Sequence, residues 1–160
     1  MNTIKAIGLI LLVSFICVVI FILVLIFGGV LNHNWNLYLL QKNSKILEHP
    51  LQTQLLNRFA EIRNYTDGTY CNYTIGEFRK SNLTHKKILD FYSSSTVESF
   101  DYKRLPVEIY FLDDEKYFDD FRNPLKEWFE KSKLQASSSD IYLVYVSADG
   151  YPTDYDYRCE

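Results

Sequence analysis

The sequence predicts an α+β domain that follows one N-terminal transmembrane helix. Residues 6–31 form an uninterrupted uncharged stretch, which is typical of a membrane span. Beyond it, β-branched and aromatic runs alternate with segments of helical periodicity. The expected order is β-β-α-β-α-β, a small sheet of about four strands packed against two helices. Aromatic residues make up 16% of the chain, so the domain has large side chains with which to fill a core.

The apolar stretch comprises 26 residues. At a rise of about 1.5 Å per residue it exceeds the hydrocarbon core of a bilayer, which is about 30 Å thick. A cleaved signal peptide has a shorter apolar region of about 7–15 residues and a small-x-small cleavage motif. Residues 1–31 are therefore predicted to be an uncleaved signal anchor that contacts membrane lipid through residues 6–31. Cys17, inside the stretch, is interpreted as a small apolar helix residue.

Flanking charges predict the orientation of this span. Lys5 precedes it, and the next basic residues of fixed charge, Lys42 and Lys45, lie more than ten residues beyond it. Because basic residues favour the cytoplasmic side, we expect a cytoplasmic N-terminus, a single pass through the cell membrane and a domain outside. Trp35 and Tyr38 are expected in the outer headgroup layer. The alternative is that they lie on a helix that continues into the domain.

Residues 32–50 are interpreted as a juxtamembrane stalk. Leu37 and Leu40 fit a helical continuation of the span, which must end near Pro50 because the residue before proline avoids helical backbone angles. The extracytoplasmic domain is expected over residues 51–160.

The first segment of the domain, residues 51–64, has apolar spacings that fit either a strand or a helix. A strand is favoured because the sequence that follows completes a hairpin. Residues 66–68 have the composition of a turn, and residues 69–78 are rich in Tyr, Thr and Ile, as in a second arm.

Two helices and two strands are expected after the hairpin. Thr84 can cap the free backbone amides of a short helix, and Ile88 gives that helix a buried side. Pro124 suits the first turn of the second helix. Asp149 and Gly150 are expected to form the turn that ends the last strand. The elements are predicted as a helix from Thr84 to about Tyr92, a strand at 107–112, a helix beginning at Asn123 and Pro124, and a strand at 141–147.

Two cysteines lie outside the apolar stretch, Cys71 in the predicted hairpin and Cys159 in the tail. In an oxidising compartment they are expected to form a disulfide. Such a bond closes a loop of about 90 residues and contributes about 4 kcal/mol in the chain-entropy model. The alternative, two unpaired thiols, is expected for a cytosolic domain.

Three Asn-x-Thr tripeptides begin at Asn64, Asn72 and Asn82. In a eukaryotic secretory protein they would favour glycosylation and an exposed surface. The tripeptide also arises by chance in a chain rich in Asn and Thr, and Thr84 already has a role as the helix cap. The three asparagines are candidate glycosylation sites.

The charge balance and the spacing of possible metal ligands argue against nucleic-acid binding and against metal binding. The formal net charge is −3, and nucleic-acid binding gains most of its affinity from clustered Lys and Arg, so no nucleic-acid partner is expected. His33, His49 and His85 are expected at the surface, without the spacing of a metal site. The acidic run that begins at Asp113 is interpreted as the solvated entry of a helix. No metal ligand is predicted.

Tyr151, Tyr155 and Tyr157 alternate with aspartates in the tail. Tyrosine is enriched at recognition surfaces because it offers a rigid amphipathic face, so these residues are a candidate binding surface. The alternative is that their rings pack over the sheet.

No sequence pattern typical of a nucleophile elbow, phosphate loop or zinc protease occurs, so no catalytic residue and no cofactor is predicted. The chain is expected to be a non-enzymatic, membrane-anchored domain that binds a protein or an envelope component. The alternatives are a small membrane-bound enzyme and an accessory subunit of a membrane complex.

Overall fold

The computed structural model describes residues 2–64, 70–113, 124–132, 140–154 and 156–159. These segments form an α+β domain around a four-stranded antiparallel sheet, as predicted. The helices and strands are α1 (Asn2–Ser44), β1 (Thr53–Arg63), β2 (Tyr70–Ser81), α2 (His85–Tyr92), β3 (Thr96–Glu98), β4 (Arg104–Pro106), β5 (Glu108–Phe111), α3 (Pro124–Ser132), β6 (Ile141–Pro152) and a 3₁₀-helix (Tyr157–Cys159).

The sheet has the strand order β1-β2-β6-β5, and every neighbouring pair is antiparallel. β1 and β2 form the predicted hairpin, with Thr53 opposite Ser81 and Arg63 opposite Asn72. The strand interpretation of residues 51–64 is therefore confirmed. The predicted turn at 66–68 lies outside the described residues.

The last strand continues through the turn predicted at Asp149 and Gly150. β6 extends to Pro152, and its register against β2 shifts between Cys71 and Tyr73. Gly150 has a φ of +83°, a conformation that glycine adopts readily, and its amide donates a hydrogen bond to Asn72 Oδ1 at 3.1 Å. The predicted turn is therefore wrong: the sequence forms a bulge within the strand.

The N-terminal helix has two arms that meet at a bend of 47°. Among the described residues, no single helix is long and apolar enough to cross a membrane. The arms Gly8–Val24 and Phe27–Ser44 satisfy the requirements of length and composition together. The apolar side chains between Leu9 and Val24 are exposed, so the domain does not cover this arm.

The second arm of α1 enters the domain core. Leu40 is fully buried, and Leu37 and Leu47 pack against a cluster that includes Ile62 and Val146. Leu37 and Leu40 lie at helical spacing on one side of α1, and Leu47 follows the end of the helix. Residues 32–50, which were predicted to be a stalk, thus contribute part of the domain core.

The helices lie on both faces of the sheet. On the face that α1 covers, α2 places Ile88 and Tyr92 against Tyr142 and Val144 of β6. On the other face, Trp128 of α3 belongs to a separate apolar cluster. Two helices packed against one sheet were expected. The structure instead has three layers, with the sheet between helices, and β2 and β6 accordingly carry buried residues on both faces.

A close approach fixes α3 on its face. The Trp128 ring stacks on Phe59 with ring centroids 5.2 Å apart. A Cβ atom added to Gly76 of β2 would lie 2.7 Å from the Trp128 ring, so the absence of a side chain at Gly76 lets the indole lie against the sheet.

The short hairpin β3–β4 was not predicted. Its strands have three residues each, which is too short for an alternating pattern to be recognised. Asn43 of α1 donates a hydrogen bond to the Glu98 carbonyl at 2.9 Å, which attaches the hairpin to the helix. Thr84 precedes α2 as expected, but its side chain makes no capping hydrogen bond.

Candidate functional site

The structure brings Cys71 and Cys159 to bonding distance, with Cα atoms 4.9 Å apart. Both residues are fully buried. Asn64 at the end of β1 donates a hydrogen bond to the Cys159 carbonyl at 3.0 Å. The 3₁₀-helix is therefore attached to the β1–β2 hairpin, as the predicted disulfide requires.

A polar group beside this disulfide, termed the His33 cluster, comprises His33, Asn36, Tyr73, Asp156 and Arg158. His33 is only 1% exposed, so its predicted surface position is wrong. The Tyr73 hydroxyl contacts His33 Nδ1, and His33 Nε2 lies 3.0 Å from the Thr153 carbonyl. Because a carbonyl only accepts, His33 Nε2 carries a hydrogen and donates it to Thr153.

Tyr73 is the centre of the His33 cluster. Its ring is buried, and burial raises the pKa of its hydroxyl to about 12, although hydrogen bonding from Asn36 acts in the opposite direction. The Asn36 amide donates to this hydroxyl at 3.4 Å. The hydroxyl therefore stays neutral at physiological pH.

Asp156 and Arg158 attach the tail segment, defined as residues 153, 154 and 156–159, to α1. Arg158 Nη2 lies 2.5 Å from the buried Asp156 carboxylate, and Nη1 donates to Asn34 Oδ1 of α1 at 2.8 Å. Burial alone would raise the pKa of Asp156, but hydrogen bonds from Arg158 lower it overall. The carboxylate is thus held in its charged form.

The tail segment also touches the backbone of α1. A Cβ atom added to Gly29 would lie 1.8 Å from the Asp154 carbonyl oxygen, whereas one added to Gly28 would have no atom within 4 Å. Arg158 Nη2 lies 3.5 Å from the Val30 carbonyl. The absence of a side chain at Gly29 therefore lets the tail lie against the helix near the end of the apolar stretch.

A second polar group, the Glu77 cluster, comprises His49, Arg58, Glu77, Arg79 and Tyr92. The Glu77 side chain is 9% exposed and lies 2.5 Å from Arg58 Nη2, 2.6 Å from Arg79 Nη1 and 3.4 Å from His49 Nε2. A buried carboxylate requires such partners. Alternation along β2 places Glu77 and Arg79 on the face that α1 covers.

His49 connects the Glu77 cluster to α2. Its Nδ1 lies 2.8 Å from the Tyr92 hydroxyl. Burial lowers the pKa of His49, and nearby Arg79 lowers it further despite the attraction of Glu77. Burial also raises the pKa of Tyr92. His49 was expected at the surface, but it is largely buried. Its imidazole is held neutral.

A small cavity of about 20 Å³ lies beside Glu77. Gln41, Ser44 and Phe59 are among its lining residues. A space of this size holds about one water molecule. The charged atoms of the Glu77 cluster are thus paired with one another and do not face a substrate-sized space there.

His85 is the most exposed histidine of the three, with a side chain that is 42% exposed. Its ring stacks on Phe111 and lies 3.6 Å from Asp113. The rest of the acidic run lies outside the described residues, as does Asn123. Within the described segments, no three His, Cys, Asp or Glu side chains are arranged to hold a metal ion.

The three candidate glycosylation sites differ in accessibility. Asn82 is exposed. Asn72 is buried and accepts the hydrogen bond from Gly150, and Asn64 is partly buried beside Cys159. Asn82 is therefore the most accessible of the three, and glycosylation stays a prediction.

The candidate tyrosines Tyr151 and Tyr157 differ in their exposure to solvent. The Tyr151 ring packs on Phe100 with centroids 4.7 Å apart, and its hydroxyl donates to Asp101 at 2.8 Å. Tyr157 is 74% exposed, and Tyr155 lies outside the described residues. Tyr151 thus follows the packing alternative, whereas Tyr157 presents an open ring.

Trp35 and Tyr38 lie on α1 where it emerges from the apolar stretch. Both side chains are exposed, and their ring centroids are 5.4 Å apart. The helix continues into the domain through Leu37 and Leu40 on its other side. The helical continuation is therefore present, and the position of the two rings in the headgroup layer stays a prediction.

The outer edge of β1 is the longest sheet edge in the described part of the chain. β1 has 11 residues and pairs there with β2 alone. Leu51, just before the strand, is fully exposed, and Leu55 within it is exposed as well. Leu51, Leu55 and the outer backbone of β1 together are termed the β1 surface.

Sequence reasoning missed both polar clusters, although signals for them exist. His33 stands four residues before Leu37 and seven before Leu40, so helical spacing places it on their buried side. Glu77 and Arg79 alternate with Phe78, which puts them on the same face as Ile75.

Comparison with models of protein families, with curated proteins and with solved structures found no match to this chain.

Proposed function

We propose that the chain is a single-pass membrane protein with a cytoplasmic N-terminus, and that its extracytoplasmic domain is a non-catalytic binding module for a protein or envelope partner. The observation that carries the proposal is the course of α1, which passes from the exposed apolar arm directly into the domain core. The paired cysteines support an oxidising compartment.

The anchor is attached to the domain at several levels. Arg158 reaches Val30 and Asn34, His33 reaches Thr153, and Leu40 is buried in the core. A flexible stalk would let the domain rotate freely over the membrane. Here the domain has a fixed orientation with respect to the helix.

The β1 surface is the proposed partner-binding site. At an open strand edge, a partner strand can bond to backbone amide and carbonyl groups. The adjacent Leu51 and Leu55 supply apolar area of the kind that marks protein interaction sites. The partner is thus expected to add an extended segment beside β1.

The orientation of β1 makes this surface accessible. The β1–β2 hairpin meets the tail segment at its Arg63 end, so β1 runs from the membrane-distal end of the domain towards the membrane. Its 11 residues correspond to about 35 Å at the usual rise of a strand. A partner in the envelope can approach most of that length.

Site-specific photo-crosslinking tests the proposal. A photoreactive amino acid at Leu55 is expected to yield one discrete crosslinked species in intact cells, which mass spectrometry identifies. The matched control is Leu89 of α2, which is similarly exposed. Equal crosslinking from both positions, or from neither, would contradict a binding site at the β1 surface.

A further inference from the structure

The exposed tyrosines and tryptophans are concentrated at one end of the domain. Within the described residues, every exposed Tyr or Trp lies at or near the end where α1 leaves the domain; Trp128, by contrast, is buried. The exposed rings, termed the interfacial ring, are Trp35, Tyr38, Tyr70, Tyr102 and Tyr157.

Strand pairing places Tyr70 at this end, because it lies opposite Pro152, next to the disulfide. Tyr102 lies in the turn between β3 and β4. That turn reaches the same end, since Phe100 packs on Tyr73 with ring centroids 4.8 Å apart.

The contacts of the tail segment with α1 fix the position of Tyr157 along the axis of that helix. Its neighbour Arg158 bonds to Asn34 and approaches Val30, and Asp154 lies against Gly29. Gly29 and Val30 belong to the last helical turn of the uncharged stretch. The exposed Tyr157 ring is thus held beside the point at which α1 leaves the apolar region.

Backbone conformation singles out the same end. Tyr102 and Asp154 are the non-glycine residues with positive φ in the described chain, at 65° and 46°. Such conformations are disfavoured for residues with a Cβ and cluster at functional sites. The Tyr102 ring is 84% exposed, so core packing does not account for a large aromatic side chain at this strained position.

We propose that the interfacial ring seats the domain on the headgroup layer of the bilayer that α1 crosses; this inference rests on the proposed membrane anchor. Tyrosine and tryptophan are enriched at this layer because one end of each ring is apolar and the other polar. Lys103 is paired with Asp101 at 2.7 Å and Arg158 with Asp156 at 2.5 Å. Lys103 and Arg158 are thus paired within the domain, and contact with the bilayer is expected to depend mainly on the aromatic rings.

Fluorescence quenching by lipid tests this contact on the full chain in phosphatidylcholine nanodiscs. Tyr157→Trp and the control Leu51→Trp are each made in a Trp35→Phe background, with Trp128 as a constant buried signal. Leu51 is exposed at the opposite end of the domain. With brominated acyl chains, the reporter at 157 is expected to lose most of its emission and the reporter at 51 none.

The outcomes separate the inference from the anchor on which it rests. The unsubstituted chain, which keeps Trp35, is measured in the same nanodiscs. If neither reporter is quenched but Trp35 of the unsubstituted chain is, the domain stands clear of the bilayer and the inference fails while the anchor survives. If Trp35 is also unquenched, the proposed anchor fails. Equal quenching at 51 and 157, or quenching that requires phosphatidylglycerol, would overturn docking through the interfacial ring.

Discussion

The His33 cluster and the Glu77 cluster both bury polar groups, yet they connect different parts of the chain. His33 and the Thr153 carbonyl are 120 residues apart in sequence, whereas Arg58 and Glu77 are 19 apart on neighbouring strands. The first cluster joins α1 to the tail segment beside the disulfide. The second joins two strands and, through His49 and Tyr92, the connection after α1 to α2.

The two clusters also differ in chemistry. The His33 cluster combines the contact between His33 and Tyr73 with one ion pair, that of Asp156 with Arg158. The Glu77 carboxylate contacts Arg58, Arg79 and His49. A buried charge of this kind destabilises the fold strongly when a partner is removed. We infer that the first cluster fixes the orientation of the domain and that the second stabilises the sheet. Four perturbations separate these roles.

Loss of the disulfide is expected to have the largest effect. Replacing Cys71 and Cys159 by Ala should lower the free energy of unfolding by about 4 kcal/mol, because an 88-residue separation is no longer closed in the unfolded chain. Chemical denaturation of the full chain in detergent measures this change. Cys17→Ala is the control, and an equal, small effect of both changes would contradict a disulfide in the folded protein.

Glu77→Gln is expected to destabilise the domain by about 3 kcal/mol, because Arg79 and Arg58 lose their carboxylate partner in a buried setting. The control is Glu98→Gln on β3, where the side chain is exposed and the expected change is within about 0.5 kcal/mol. Thermal unfolding followed by near-ultraviolet circular dichroism compares the two variants. Similar melting temperatures would show that the Glu77 cluster contributes little.

Gly29→Ala is expected to cost about 2 kcal/mol, since the new Cβ must displace the Asp154 backbone from α1. Gly28→Ala is the matched control, because a Cβ there meets nothing within 4 Å. Limited proteolysis should cleave the tail segment faster in the first variant alone. Equal cleavage of both variants would contradict the contact between the tail and α1.

His49 predicts a smaller, pH-dependent effect. Its folded-state pKa is lowered from 6.5 by burial and by Arg79, so the unfolded chain binds a proton more readily as the pH falls below about 6.5. Stability should therefore decrease from that pH downwards towards the folded pKa. Denaturation at several pH values compares the native chain with His49→Gln. The His49-dependent loss should disappear in the variant, and unchanged pH dependence would assign the loss to other groups.

The sequence was sufficient to predict the structural features that depend on local residue patterns. The β1–β2 hairpin, the pairing partner of Cys71 and the sheet of four strands follow from alternation, turn composition and cysteine count. The hairpin β3–β4 was missed because each strand is too short to show alternation. The Asp149 and Gly150 bulge was mistaken for a turn because the same residues favour both.

The candidate site was harder to predict because it depends on contacts that sequence spacing does not encode. Histidine in a helix is usually a surface residue, and the burial of His33 arises from Tyr73 and Thr153, far away in the chain. The helices divide between both faces of the sheet for a similar reason. The Trp128 ring requires the space left by Gly76 on a distant strand.

Thiol labelling of intact cells tests the central claim, that α1 anchors a disulfide-bonded domain outside the cytoplasm. The chain carries Cys17→Ala, and a membrane-impermeant maleimide is applied with and without prior reduction. The account predicts labelling of Cys71 and Cys159 only after reduction, on unbroken cells. Labelling that requires lysis and occurs without reduction would place free thiols in the cytosol. That result would contradict the orientation of α1, the disulfide and the proposed extracytoplasmic location of the domain together.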